Sequence, residues 1–307
     1  MPIIDKDSEL ILAKIGYGAR TWGSEMGPDH LVNLGLASTL QKAGFNILNT
    51  KSINAEIPNS QPTERTKRYS NNVNSFLEDL FESTSKTLEK KLFPVILGGD
   101  HSLTIASFAA VSRFYDKQKQ DVGIIYIDSH PDINIPGDNP SGAIHGMTVA
   151  CLLGILGSED FTNNQYMSLK SNNLFYIGVR DIDQTEQERI SNLQIATLTN
   201  DNLCQPNLYE KISEIINYFK ENKLKLYLSF DLDVLDSSLA MGVNYNPKNT
   251  NGINIDIAKT LLKEFLNYPD IVGLDIVEYN PIKDIQNKTA RNLIELFTVL
   301  EINKLNP

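Results

Sequence analysis

Residues 124–132 read Ile124-Ile125-Tyr126-Ile127-Asp128-Ser129-His130-Pro131-Asp132. The isoleucine-rich run predicts a strand buried on both faces. It breaks into Asp128, His130 and Asp132, three oxygen or nitrogen donors at every second residue. On an extended backbone alternate side chains share a face, so the spacing predicts that the three converge just past the strand's carboxyl end. Two carboxylates and an imidazole crowded there would repel one another and lose solvation unless a cation neutralised them.

Outward from this strand the chain alternates between two periodicities. Short apolar runs predict strands at 10–18 (entering a glycine turn), 45–48, 94–102, 122–128, 174–181, 226–230 and 271–277. Helical spacing predicts helices over 29–42, 73–91, 102–119, 145–156, from about 185, and over 207–223, 254–266 and 289–300. Residues 51–71 are polar and carry prolines, which predicts a long surface loop. Strands alternating with helices imply an α/β fold with a mainly parallel sheet covered on both faces. No repeat, low-complexity tail or linker divides the sequence, so residues 1–307 are expected to form one domain. In such folds ligands bind outside the carboxyl ends of the strands. Every acidic cluster of this sequence falls there.

Composition narrows the partners. With 38 acidic and 28 basic side chains the formal charge is −10, which argues against nucleic acid or an anionic membrane surface and suits a cationic substrate. The two cysteines, Cys151 and Cys204, belong to no CxxC pair; small apolar side chains are expected rather than a disulfide framework or a thiolate zinc site. The first seven residues lack a basic start followed by an apolar core, and no apolar stretch is long enough to span a membrane. A cytoplasmic protein is the expectation.

Four strand exits carry chemistry. They hold His101, then Asp128, His130 and Asp132, then the i, i+2 pair Asp231 and Asp233, and last Glu278. Two histidines and four aspartates form a nitrogen and oxygen set without thiolates, which suits manganese better than structural zinc. Six donors exceed the needs of one ion; two ions with bridging carboxylates would use them all. Of four histidines in the chain, His30 falls in the first predicted helix as a surface or packing residue. His145 opens the helix beside the donors, where an imidazole could carry a proton to a leaving amine.

The strings Gly98-Gly99-Asp100-His101-Ser102, Asp128-Ser129-His130-Pro131-Asp132 and Ser229-Phe230-Asp231-Leu232-Asp233-Val234-Leu235-Asp236 resemble the three metal motifs of the ureohydrolases, the arginase and agmatinase superfamily. The resemblance runs from about Gly16 to the last helix. It implies a three-layer α/β/α sandwich holding two Mn²⁺ per subunit, commonly in a homotrimer or hexamer. Within the superfamily the chain is most similar to the arginases. That likeness implies hydrolysis of the guanidinium of L-arginine to L-ornithine and urea by a metal-bridging hydroxide. Asp128 and Asp231 would bridge the ions, His101 and Asp132 completing one and His130 and Asp233 the other, with Asp132 also orienting the hydroxide.

By the same resemblance Asn134 and Ser141 would bind the substrate's α-carboxylate, and Asp183, with Glu186 beyond it, its α-amino end. Glu278 would face the guanidinium and His145 would pass the proton. Two stretches depart from the family pattern: Ala143 stands where an asparagine is usual, and residues 237–251 read SSLAMGVNYNPKNTN in place of a Gly-Thr-rich loop. They leave open agmatinase, formimidoylglutamase or another guanidino-acid hydrolase, or a metal-binding relative without catalysis.

Overall fold

In the computed structural model, residues 5–56, 70–138, 141–156, 166–203, 206–245, 247, 250–298 and 300 are described. The strands are β1 (Lys6–Lys14), β2 (Phe45–Asn54), β3 (Phe93–Gly98), β4 (Val122–Ile127), β5 (Leu174–Val179), β6 (Ala196–Thr199), β7 (Lys225–Asp231) and β8 (Ile271–Val277). The helices are α1 (Gly27–Asn33), α2 (Leu36–Ala43), α3 (Ser70–Glu89), α4 (Thr104–Asp116), α5 (Thr148–Leu152), α6 (Gln184–Asn192), α7 (Asn200–Leu203), α8 (Leu208–Glu221), α9 (Ile255–Leu266) and α10 (Lys288–Thr298). All eight strands pair in parallel in one sheet of order β2-β1-β3-β8-β7-β4-β5-β6.

The strands read as apolar runs because each of their faces meets a helical layer. In β4, Ile125 and Ile127 join one core with Leu40 of α2, Phe219 of α8, Leu261 of α9 and Leu293 of α10. Ile124 and Tyr126 point the other way, to Phe76 of α3, Phe108 of α4, Val149 of α5 and Ile190 of α6. The layers are therefore helix, sheet, helix, as the motifs implied. Among the described residues no helix is long and apolar enough to cross a membrane. Cys151 is buried and free; Cys204 lies outside the described residues.

The sequence-based boundaries differ at the sheet edges. The first strand starts at Lys6, four residues early. The second continues to Asn54, so Lys51 belongs to a strand and not to a loop; residues 57–69 lie outside the described set. β2 is an edge strand with one face largely exposed, so its polar stretch carries no apolar alternation and the β1 ladder alone defines it. On the opposite edge, the four-residue β6 and α7 were not predicted, for the same lack of an apolar signal. The expected helix 29–42 breaks at Gly35, whose φ of 99° is left-handed. The helix expected over 145–156 is α-helical only at Thr148–Leu152.

Lys51 has a partner that its sequence context hides. Glu9 of β1 is fully buried and its carboxylate meets Lys51 Nζ at 2.5 Å, Asn49 Nδ2 at 2.7 Å and the Thr87 hydroxyl. Burial works against the charge, but hydrogen bonds from Lys51, Thr87 and Asn49 outweigh it and hold the Glu9 pKa down to about 2. A depressed carboxylate pKa contributes stability that is present above the unfolded value near 4.5 and is lost as pH falls toward 2. Glu9→Gln is expected to cost about 2 kcal/mol at pH 7. In urea unfolding the gap between wild type and variant should narrow between pH 5 and pH 3; a constant gap would refute the ionic account.

Candidate metal centre and substrate pocket

The four strands whose exits bear the candidate residues, β3, β8, β7 and β4, are neighbours at the middle of the sheet. Three exits use one local device, a carboxylate that accepts the backbone N–H two residues on. Asp100 Oδ1 accepts from Ser102 N at 3.1 Å, Asp128 Oδ1 from His130 N at 2.7 Å and Asp231 Oδ1 from Asp233 N at 2.7 Å. The donors of residues 128–132 thus converge through a turn, where extended alternation was expected. β4 has ended at Ile127, and Asp132 adopts a left-handed φ of 48°. Glu278, after β8, has φ 71°. Left-handed backbone at non-glycine residues costs about 1 kcal/mol or more, and surrounding contacts must hold it. For Glu278 these include its N–H on Gly99 O at 2.8 Å. Gly99 is close-packed too: a methyl group there would overlap the Ile15 carbonyl.

Five of the six donors fall into two groups that share Asp128, one with His101 and Asp231 and one with His130 and Asp233; Asp132, expected among them, belongs to neither, its Oδ2 being taken by the Tyr126 hydroxyl. His101 Nδ1 lies 2.9 Å from Asp128 Oδ2, 3.0 Å from Asp231 Oδ2 and 3.4 Å from Asp132 Oδ2. His130 Nδ1 lies 2.9 Å from Asp233 Oδ2 and 3.5 Å from Asp128 Oδ1. Asp231 belongs to the first group only; its Oδ1 is held by the Asp233 N–H.

Crowding shows in the proton affinities. Burial, then Asp233 and Asp128, push Asp231 well above the usual carboxylate range, and burial with Asp128 lifts Asp132 to about 7. Burial disfavours charge on both histidines, but Asp128 and Asp231 raise His101 well above its ordinary value, and Asp233, Asp128 and Asp181 do so for His130. Asp233 is held low against burial by His130. The crowded carboxylates thus favour positive charge at this point. A divalent cation in each group would meet the same electrostatic need. His130 Nε2 and Glu278 Oε2 are buried with no hydrogen-bond partner among the described residues. Buried nitrogen and oxygen donors without thiolates fit hard or borderline divalent ions.

Beside the donors, Glu278 Oε1 takes the His101 N–H at 2.6 Å and His145 Nδ1 at 3.0 Å. Burial opposes charge on His145, yet Glu278 raises it to about 9. The same pocket is lined by Asn134, Ser141, Ala143, Asp183 and Glu186. Asp183 and Glu186 form a capping box at the start of α6, with Asp183 Oδ1 on Glu186 N at 2.9 Å. Burial lifts Glu186 to about 8, and Asn134 Nδ2 donates to it at 2.8 Å. All the predicted site residues therefore lie in this donor cluster or along this pocket. His30 lies outside it, with Nε2 3.0 Å from Asn287 Oδ1.

Several contributors escaped the sequence reading. Tyr126 stacks on His101 with ring centroids 4.4 Å apart and donates to Asp132 Oδ2 at 2.8 Å. Ser229 lies 2.9 Å from His101 Nε2 and donates to buried Asp275 at 2.6 Å. Both stand two residues before a donor aspartate, so strand alternation already places them on the donor face. Ser129 donates to Asp233 at 2.6 Å. Arg20, Asp181 and Tyr245 also line the pocket, Tyr245 with its ring centroid 5.3 Å from that of His130. Their loops gave no pattern to find them by.

Known proteins share this sequence pattern and this fold. The sequence pattern of the arginase family matches residues 10–300. An arginase of Brevibacillus brevis is 31% identical over 304 residues, covering 98% of this chain and 100% of that protein. The crystal structure of Entamoeba histolytica arginase in complex with L-ornithine superposes with a TM-score of 0.87 at 28% identity, covering 96% of this chain and 98% of that one. A Bacillus subtilis formimidoylglutamase shares the fold, with a TM-score of 0.74 at 19% identity over 99% of this chain and 89% of its own. The chain belongs to the arginase family, hydrolases that act on carbon–nitrogen bonds of linear amidines.

Proposed function

We propose that this protein hydrolyses L-arginine to L-ornithine and urea with two Mn²⁺ ions per subunit. The observation that carries the reading is the pair of donor groups sharing Asp128 in a pocket also lined by Asn134, Ser141, Asp183 and Glu186. His101, Asp128 and Asp231, with Asp132 beside them, would hold one ion, and His130, Asp233 and Asp128 the other. When bound, such ions offset the carboxylate charge and bring the pKa of a shared water near neutrality.

The chain's own residues do the rest. Glu278, its Oε1 fixed by His101 N–H and His145, has Oε2 left to hold the guanidinium in a charge-assisted pair. His145, kept protonated by Glu278, is placed to give a proton to the departing amine. Tyr126 fixes the Asp132 carboxylate by hydrogen bonding. Asn134 and Ser141 hold the α-carboxylate and Asp183 with Glu186 the α-amino end. The whole chain acts as one catalytic domain, in the cytoplasm and as a homotrimer or hexamer.

A second reading, hydrolysis of another guanidino or formimino acid, is favoured by one observation: Tyr245, in the divergent loop 237–251, packs against His130. Urea release from Mn²⁺-loaded protein, with L-arginine and agmatine in parallel, decides between them. Urea from arginine alone is the expected result. Urea from agmatine alone would overturn the roles given to Asn134, Ser141 and Asp183. Silence on both, with two ions bound, would turn the assignment to another amidine or to a non-catalytic relative.

A further inference from the structure

The pocket is lined by seven acidic side chains (Asp132, Asp181, Asp183, Glu186, Asp231, Asp233 and Glu278) and, among the described residues, by a single arginine or lysine, Arg20. Arg20 makes no hydrogen bond or ion pair within the described residues. The two other arginines of this region are committed elsewhere. Arg180 donates to the carbonyls of Asp233, Val234 and Leu235, and Arg189 pairs with Asp138 at 2.5 Å.

The backbone around Arg20 is fixed from two sides. Gly18 donates its N–H to Asp100 Oδ2 at 2.9 Å and accepts the His145 N–H at 3.1 Å. Thr21 donates to Asn244 O at 3.0 Å, in the loop that departs from the family pattern. Arg20 therefore lies on a turn anchored both to the His145 segment and to the 237–251 loop.

A substrate with a free carboxylate would gain from positive charge in this pocket, in addition to the neutral donors Asn134 and Ser141. Near Asp181, Asp183 and Glu186 that carboxylate would meet acidic groups, which the neutral donors Asn134 and Ser141 do not offset in charge. Asn134 already gives one amide hydrogen to Glu186, and Ala143 offers no side-chain donor. A guanidinium matches a carboxylate in two parallel hydrogen bonds and keeps its charge at any working pH. It would also repel the terminal ammonium of a decarboxylated substrate.

We infer that Arg20 reads the substrate's carboxylate and makes the pocket select guanidino amino acids over guanidino amines. The inference rests on the proposed function for the guanidinium end and adds the charge that sets the other end.

The test compares wild type, Arg20→Gln and Arg20→Lys, all Mn²⁺-loaded, in two assays. In urea release, Arg20→Gln should lower kcat/KM for L-arginine roughly tenfold, through KM with kcat nearly unchanged, and leave agmatine equal or improved. Arg20→Lys should recover part of the loss. In calorimetry, which needs no turnover, wild type should bind L-ornithine more tightly than putrescine, and Arg20→Gln should remove most of that preference. Equal losses for carboxylated and decarboxylated ligands, or no loss for either, would overturn the inference. If wild type releases no urea from arginine, the proposed function falls; an Arg20-dependent preference for ornithine over putrescine would still uphold the carboxylate role, and its absence would end it.

Discussion

Asp128→Ala is expected to abolish metal retention and turnover together, lowering kcat/KM by roughly a thousandfold or more, the scale of losing the metal's Lewis-acid and water-activating roles. Asp128 is the one residue common to both donor groups, with Oδ2 beside His101 and Oδ1 beside His130. Alanine removes both oxygens and also the acceptor that holds the His130 N–H at 2.7 Å. The turn that aims His130 then loses its constraint, so both groups are damaged by one substitution. Metal content after dialysis, circular dichroism and kcat on the same preparation check the claim. Asp128→Asn separates the two effects, because its carbonyl can still hold the His130 N–H while its charge is gone. The asparagine variant should fold like wild type and still lose metal. A variant at 128 that keeps both ions and wild-type turnover would refute the assignment of this residue.

His145→Ala should behave oppositely: full metal content, little change in KM, and kcat lower by roughly 10²–10⁴. His145 belongs to neither donor group; its ring contact is Glu278 Oε1 at 3.0 Å. That carboxylate, against the opposing effect of burial, raises the His145 pKa to about 9, so the imidazole carries its proton at neutral pH. A charged acid beside the proposed guanidinium position can serve a leaving amine, whose departure without a proton would be slow. Metal analysis and steady-state kinetics on one preparation separate this role from a metal-holding one. An unchanged kcat would remove His145 from the chemistry, and loss of metal would make it structural. Alanine at 145 also leaves Glu278 Oε1 with the His101 N–H alone of these two contacts. His145→Asn, which can keep a hydrogen bond to Glu278 but cannot titrate, should lose kcat to a similar extent.

Much of this site was written in local sequence, because strand exits carry their donors with them. Asp128, His130 and Asp132 lie within five residues, and Asp231 and Asp233 within three, so a turn built from the carboxylates themselves brings each set together. The apolar runs before them predicted buried parallel strands for the physical reason that both faces are covered. Local sequence also contained an unused signal: Tyr126 and Ser229 share the face of the aspartates two residues on. The sheet edges gave no comparable signal. β2 and β6 are held by pairing with β1 and β5, and polar edge residues such as Lys51 look like loop until a buried partner is known.

The sequence by itself determined the α/β alternation, the donor set and its chemistry, because strand periodicity and ligand type are properties of neighbours along the chain. Only the tertiary structure decided that β3, β8, β7 and β4 stand side by side, which strand order in a parallel sheet leaves free until the crossovers pack. It alone separated Asp128, common to both groups, from Asp231, which joins one, and set His145 against Glu278, 133 positions away. It alone also placed Arg20 among seven acidic side chains. Those relations depend on through-space distances between residues remote in sequence, and the energies that set them, charge interaction and burial, follow distance in space and are blind to distance along the chain.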